Sequence, residues 1–443
     1  MFFLSWIKNR KYLIILSTID LSIFLLISKF LFSEIYIPFF IPCILLLLFY
    51  INGSYQLFTK ERSNKKKIID LILFKNIIFA TFSILFLLVF LNFFKITNNE
   101  INQLIKFIIW FSASDYFIKV IAKYIFGEKI PRYLWIVYSS KDFFNQIEDL
   151  TKLSSQRIEL RFVDQSTTLV NLLTSIRLQK SDVFGLLLED INSLDNRLID
   201  KLIDINVRGY PVLNKLEWCE LVLERIPTNF IFPKDLVQIN FPAQMGTNGV
   251  RIKRIGDLIF SILLILLSLP VLIICAILIY IEDGGKIFYY QKRTGLFGEE
   301  FLICKLRTMR ETAELNGPIW SSKNDNRVTK IGKLLRKYRL DEIPQLISVI
   351  KGKMSLIGPR PERPELEEKL KKEIPNYNLK YLMKPGLSGW SQVNYPYGAS
   401  VYDSKMKLSY DLFYLKHFSL TLDTIILFKT MKLVFNAEGS EPT

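Results

Sequence analysis

The chain has 443 residues, half of them hydrophobic, with 58 Lys or Arg against 42 Asp or Glu and a formal charge of +16. That composition belongs to a membrane protein with room for two or three domains, and the positive balance suits anionic lipid head groups, phosphorylated substrates or nucleic acid. One histidine, His417, and four scattered cysteines (Cys43, Cys219, Cys275, Cys304) exclude HExxH zinc chemistry, a CxxC site and a disulfide framework. Catalysis then falls to carboxylates, lysines, arginines or a bound metal.

Residues 1–127 read as a four-helix transmembrane bundle, with helices near 12–32, 36–50, 68–94 and 104–126. The first and fourth carry Asp20 and Asp115, and acids inside such helices ordinarily face the bundle interior. Lys8, Arg10 and Lys11 precede the first helix, "KERSNKKK" follows the second, and Lys129 and Arg132 follow the fourth. The positive-inside rule therefore puts both ends of the bundle in the cytoplasm. The first apolar run lacks a small-residue cleavage site, so no cleavable signal is expected.

From 130 to 242 the apolar runs "YLWIVYSS", "IELRFVD", "DVFGLLLED" and "GYPVLNKLEW" alternate with helical patterns, which predicts a parallel, Rossmann-like α/β domain. Its first turn, "VYSSKDF", has no glycine. A dinucleotide site needs GxGxxG for close backbone approach, so no such nucleotide is expected there, and a regulatory or packing module is the reading.

The stretch 258–281 is apolar throughout and would extend about 36 Å as one helix, long enough to cross a bilayer core. Pro270 lacks an N–H and crowds the carbonyl at Leu266, which predicts a kink or break. Between Lys286 and Arg339 there are thirteen Lys or Arg against five Asp or Glu. Basic residues on both flanks, after an even number of helices, favour a hairpin that returns to the cytoplasm over a span.

"RKYRLDEIPQLISVIKGKMSLIGPRPERPE" is the most unusual polar stretch. Asp341 and Glu342 stand between a basic helix and Pro344, which suits a first helical turn. Asp341 is then either an ordinary N-cap or part of a carboxylate pair at a helix N-terminus, where phosphate and a divalent cation can be held together and a carboxylate can attack phosphorus. "GPRPERP" is too proline-rich for a helix and reads either as a surface turn or as a rigid loop presenting Arg360 to phosphate. "KPGLSGWSQVNYPYGAS" reads as a glycine-punctuated loop suited to nucleotide or sugar contact. The last helix, "TLDTIILFKTMKLVF", either packs on the core or lies on the membrane surface.

Four stretches in order, "YYQKRTGLFGEEFLICKLRTM", "YRLDEIPQLISVIKGKMSLIGPRPERP", "KPGLSGWSQVNYPYGAS" and "YDLFYLKHFSLTLDTIILFKT", closely resemble the bacterial sugar transferase family. These are the polyprenyl-phosphate phosphoglycosyl transferases that start capsule, exopolysaccharide and O-antigen synthesis. The likeness runs from about Arg251 to the C-terminus, and the bundle and glycine-poor α/β domain resemble the long members, the hexose-1-phosphate transferases. The resemblance implies a monotopic enzyme whose apolar segment is a re-entrant helix broken at Ser268 and Pro270. Here Leu269 separates those two residues, whereas the smallest relatives have them adjacent.

The resemblance further implies that Asp341 attacks the sugar-bearing phosphate of a UDP-sugar, expelling UMP, and that the phosphate of undecaprenyl phosphate then takes the phosphosugar. Glu342 would bind Mg²⁺ with Asp341 or activate the lipid phosphate. Lys305, Arg307 and Arg360 stand where the family places basic phosphate contacts. Asp411 matches a family acid near the nucleotide side, with a helix cap as its alternative.

The expected fold class is thus a membrane α-helical bundle (1–127), a Rossmann-like α/β domain (130–242), a re-entrant membrane helix (251–285) and a mainly helical α/β monotopic catalytic domain (286–443). The expected place is the cytoplasmic face of the bacterial inner membrane, with UDP-sugar, undecaprenyl phosphate and membrane lipid as partners and no nucleic acid. A bundle joined to a ligandless α/β domain would suit a homodimer. The alternative is a membrane-anchored ligand sensor or assembly factor of a polysaccharide secretion complex, against which the intact "LDEIPQL" and "GPRP" argue.

Overall fold

In the computed structural model, which describes residues 11–31, 98–126, 133–152, 158–164, 183–190, 194–231, 248–310, 313, 325–395, 398 and 400–436, the chain divides into two units at Asn214 and Lys215. In the first unit, helices α1 (Lys11–Leu31) and α2 (Asn98–Phe126) pack together, Phe24 meeting Phe107 and Phe111 edge-on at 5.0 and 5.9 Å. Asp20 and Asp115 are both buried. The helices expected at 36–50 and 68–94 lie outside the described residues.

The same unit contains β1 (Tyr133–Ser139), α3 (Lys141–Thr151), β2 (Ile158–Asp164), β3 (Val183–Leu188), α4 (Asn196–Val207) and β4 (Val212–Asn214). All strands are parallel, in the order β2-β1-β3-β4. The central strands β1 and β3 are nearly continuous apolar runs and almost wholly buried, as a parallel sheet covered on both faces requires. At the start of α3 the Ser140 N–H donates to Glu189 at 2.7 Å, so an acid already sits where a dinucleotide fold binds pyrophosphate.

The second unit begins with a short helix α5 (Lys215–Trp218) and a π turn at Cys219–Leu223, and continues with α6 (Asn248–Asp283) and the antiparallel hairpin β5 (Phe288–Thr294) and β6 (Glu300–Leu306). Next come α7 (Lys330–Lys337), a 3-10 turn (Leu340–Gln345), α8 (Leu346–Ile350), β7 (Ser355–Ile357), α9 (Pro364–Glu373) and β8 (Gly386–Ser388). The chain ends in α10 (Trp390–Asn394), α11 (Val401–Lys416) and α12 (Leu420–Phe435).

Segment 215–231, read from sequence as part of the α/β domain, packs on this second unit instead. Ile226 N–H donates to the Ser409 carbonyl at 2.8 Å, Trp390 Nε1 donates to the Glu224 carbonyl at 2.9 Å, and buried Arg225 lies 5.6 Å from the Tyr410 ring. Its apolar residues mimic a fourth-strand pattern, but only Val212–Asn214 joins the sheet.

Helix α6 is 36 residues long and is the one described helix long and apolar enough to cross a membrane. It runs without interruption through Pro270, so the break expected at Ser268 and Pro270 is not a gap in the helix. One missing N–H costs a single rung, and the Ser268 hydroxyl turns back to the Ile265 carbonyl at 3.2 Å beside it. No residue from 262 to 274 is buried, whereas both flanks are anchored.

On the N-terminal flank Lys253 pairs with Asp423 at 2.7 Å, Arg254 donates to the Val349 and Ile350 carbonyls, and Asp257 accepts from Ser355 and from Leu356 N–H. On the C-terminal flank Cys275 and Ile279 pack with Leu306 and Leu335, Glu282 accepts from the first N–H groups of α7, and Asp283 pairs with Arg307. Both flanks of α6 therefore dock on the same unit.

Two glycines fix the floor of this unit. β7 and β8 pair in parallel, and a Cβ on Gly386 would fall 2.0 Å from the Gly358 nitrogen. That contact ties the start of the "GPRP" loop to the "KPGLSG" strand. The last helix packs on the core through buried Leu422 and Ile426, while Leu420, Leu427, Phe428 and Phe435 are exposed.

The anchoring predicts that exposed positions 251 and 286 face the same side of the membrane. In a background without native cysteines, Arg251→Cys and Lys286→Cys should both react with an impermeant maleimide only after the cytoplasmic face is opened. Labelling of either from the periplasm contradicts the common attachment.

Candidate active site

All six residues singled out from sequence, Lys305, Arg307, Asp341, Glu342, Arg360 and Asp411, line one cavity of about 670 Å³, a volume ordinary for a small-ligand site. They come from β6, the 3-10 turn, the "GPRP" loop and α11.

The 3-10 turn differs from the expected N-capped α-helix. Arg339 takes the N-cap place with a left-handed backbone (φ 54°, ψ 24°), and Asp341 lies within the tight turn rather than capping it. Pro344 disfavours α geometry at the residue before it and has no N–H to give, so the chain winds tightly until α8 begins. A non-glycine residue at positive φ is uncommon and costs energy. Here it sends the chain from α7 straight into the two acids.

Asp341 and Glu342 are each 8% exposed. Glu342 Oε1 accepts from Lys305 Nζ at 3.1 Å and from Arg360 Nη2 at 2.9 Å. Burial alone would push the Glu342 carboxyl up, but Arg360, Lys305 and Arg339 outweigh it and hold it well below the usual carboxylate range. Asp341 moves the other way, raised by burial and then by the charge of Glu342, against Lys305, Arg336 and Arg360. The pair therefore has one firmly ionised member and one whose charge is harder to sustain. Burial also lowers the Lys305 ammonium despite its two acidic neighbours.

Arg360 is presented to this pair as the loop reading requires. Arg307 lines the cavity too, but its guanidinium pairs with Asp283 and so links the site to the foot of α6. Asp411 is not a helix cap: α11 is capped by a Ser400–Asp403 box, and Asp411 lies in its interior, 4% exposed, with its carboxyl pushed up to about 6 by burial.

"WSQVN" is helix α10 rather than loop, with Trp390 stacked on Phe413 at 5.9 Å and under Lys429. It carries Ser391 and Gln392 to the cavity.

Sequence reasoning missed Arg293, Arg336, Arg339, Glu362, Lys380 and Lys407, which line the same cavity. Arg293, Arg336, Arg339 and Glu362 lie inside the quoted motifs and could have been taken with the residues beside them. Lys380 and Lys407 have no local signal, since only the fold brings them beside Asp411 and Glu362.

Among the described residues no three acids, cysteines or histidines converge. Asp341 and Glu342 therefore suit a hard cation only as two carboxylates completed by phosphate oxygens, which is the ordinary habit of Mg²⁺.

A cation-rimmed cavity with two buried acids thus lies at the foot of an apolar helix anchored by both flanks. Residues 248–437 match the bacterial sugar transferase family. A UDP-glucose:undecaprenyl-phosphate glucose-1-phosphate transferase of Caulobacter vibrioides is 34% identical over 190 residues, 42% of this chain and 71% of the relative. The chain belongs to that family.

A UDP-N-acetylgalactosamine-undecaprenyl-phosphate N-acetylgalactosaminephosphotransferase of Aeromonas hydrophila is 40% identical over 189 residues, 43% of this chain and 45% of the relative. A UDP-glucose:undecaprenyl-phosphate glucose-1-phosphate transferase of Escherichia coli K12 is 35% identical over 188 residues, 42% and 40% of the two. The match thus spans less than half the length of these two relatives.

The Asp411 shift makes a prediction about stability. A carboxyl raised from 3.8 to about 6 binds its proton more tightly folded than unfolded. Its stabilising contribution is complete below the unfolded value and is lost as pH rises through the folded one. Asparagine does not titrate. Asp411→Asn should therefore gain stability relative to the parent between pH 4 and 7, by up to about 3 kcal/mol. Thermal unfolding in detergent across that range checks it, and a difference that stays flat with pH contradicts the shift.

Proposed function

We propose that the protein transfers a sugar-1-phosphate from a UDP-sugar to undecaprenyl phosphate at the cytoplasmic face of the bacterial inner membrane, releasing UMP and giving undecaprenyl-diphosphate-sugar. This is the first step of exopolysaccharide, capsule or O-antigen synthesis. The observation that carries the reading is the buried Asp341–Glu342 pair set among Lys305, Arg339 and Arg360 in one cavity. The sensor alternative finds no such support, because an acid pair held by cations is costly to bury unless it handles charge.

In this reading an Asp341 carboxylate oxygen attacks the phosphorus that bears the sugar. The bond from that phosphorus to the bridging oxygen breaks, UMP leaves with the electron pair, and an acyl-phosphate to the sugar forms on Asp341. An oxygen of the lipid phosphate then attacks the same phosphorus, Asp341 departs as carboxylate, and the lipid diphosphate is made.

Lys305, Arg339 and Arg360 hold the diphosphate and stabilise the charge that grows on UMP. Glu342, kept ionised by those cations, fixes Lys305 and Arg360 in place. Asp341 and Glu342 would hold Mg²⁺, which supplies further neutralisation of the phosphates. Glucose or galactose is favoured over an N-acetylated sugar on the likeness to long hexose transferases.

Docking of both α6 flanks on this unit supports the re-entrant reading, in which α6 enters the membrane and returns and the cavity lies at head-group depth. A lipid phosphate reaches that depth without leaving the bilayer. A soluble nucleotide reaches it from the cytoplasm.

Membranes containing the protein, given radiolabelled UDP-sugar, undecaprenyl phosphate and Mg²⁺, should release UMP and form a lipid-extractable labelled product. Asp341→Asn should lower both by roughly 10³-fold or more. Parental turnover in that variant sinks the nucleophile assignment.

A further inference from the structure

Two residues that line the cavity carry buried acceptors that the proposed chemistry leaves unused. Asp411 Oδ1 is buried with no hydrogen-bond partner among the described residues, and so is Gln392 Oε1. Both residues line the cavity, one from α11 and the other from α10, helices that pack against each other. Gln392 Nε2 donates to the Leu387 carbonyl at 3.4 Å, which leaves Oε1 as the unmatched atom. An unmet buried acceptor costs roughly 1–3 kcal/mol, so two in one cavity are a strong demand for donors.

The charged neighbours separate this corner from the acid pair. Asp411 faces Lys380, Glu362 and Lys407, whereas Asp341 and Glu342 face Lys305, Arg336, Arg339 and Arg360. The two remaining cations of the corner are engaged: Lys380 donates to the Tyr377 hydroxyl at 3.1 Å, and Lys407 to the Gly398 carbonyl at 2.6 Å.

We propose that Asp411 Oδ1 and Gln392 Oε1 form an acceptor pair that binds a vicinal diol of the substrate. The proposal rests on the transferase reading for the identity of the ligand. A phosphate has no donor to offer two acceptors. The pairing edge of uracil offers one N–H between two carbonyls, which would set oxygen against oxygen. Two adjacent hydroxyls on a sugar ring supply two donors, one for each acceptor. The diol belongs either to the ribose or to the transferred hexose.

Calorimetric titration of the detergent-solubilised full chain tells these apart. The probes are UDP-glucose, its analogues deoxygenated at the ribose 2′ or 3′ position, and its analogues deoxygenated at a ring hydroxyl of the glucose. One of the two sets should bind roughly 10- to 100-fold more weakly than UDP-glucose. That penalty should shrink toward unity in Gln392→Met, which keeps length and volume and removes the acceptor. A penalty confined to the ribose analogues assigns the pair to the nucleoside, and one confined to the glucose analogues assigns it to the sugar.

The proposal is overturned if no deoxy analogue loses affinity, if the penalty is unchanged in Gln392→Met, or if none of the probes binds. The parent chain alone gives the first comparison, should the variant fail to fold. Diol-dependent binding without any UMP release would sink the transferase reading and leave the pair standing. UMP release without a diol penalty would sink the pair alone.

Discussion

Glu342 is the joint of the catalytic unit. Its carboxylate holds Lys305 from β6 and Arg360 from the "GPRP" loop at once, and the 3-10 turn that carries it also carries Asp341. Three segments distant in sequence are thereby closed over one buried point. Removing a single partner would leave a buried charge unmatched, a cost of several kcal/mol in comparable pairs, so the three stand or fall together. Position follows from the same joint. Arg307, directly after β6, pairs with Asp283, and α7, which leads to the turn, receives Glu282 at its first N–H groups. The foot of the apolar helix and the acid pair are therefore separated by one ion pair and one short helix.

The electrostatics of the pair divide the work. Two adjacent carboxylates in a shared low-dielectric site cannot ionise with equal ease. Cations hold Glu342 charged, and burial with its neighbour makes charge on Asp341 costly. A carboxylate that is poorly compensated in the resting site gains most when a phosphorus centre approaches. The same cations that favour Glu342 are those that would meet the phosphates of a donor, so substrate binding and the ionisation of the pair draw on one set of charges.

Much of this was legible because the chemistry is local. "LDEIP" and "GPRP" place acid, cation and rigid turn within a few residues, and the fold has only to bring the two motifs together. The parallel sheet was legible from β1 and β3, whose unbroken apolar runs have no other use in a soluble segment. Less was legible where tertiary contact decides. Residues 215–231 carry a strand-like pattern, but burial against α11 claims them for the second unit. Lys380, Lys407 and Gln392 are ordinary surface residues by sequence, and they matter only because α10 and the segment carrying Lys380 pack on α11 beside Asp411. Pro270 gave a correct warning of a lost hydrogen bond, but the helix continues through it, since one missing N–H removes only one rung.

The central claim is that Asp341 carries the phosphosugar. The direct measurement is intact-protein and peptide mass spectrometry after acid quench of purified protein mixed with UDP-glucose and Mg²⁺, without any lipid acceptor. The account predicts UMP release of up to one equivalent per chain and a hexose-phosphate mass increment on the peptide containing Asp341, discharged when undecaprenyl phosphate is added. Full turnover with lipid present, but no burst and no adduct in its absence, would mean direct transfer between the two substrates and would contradict the claim.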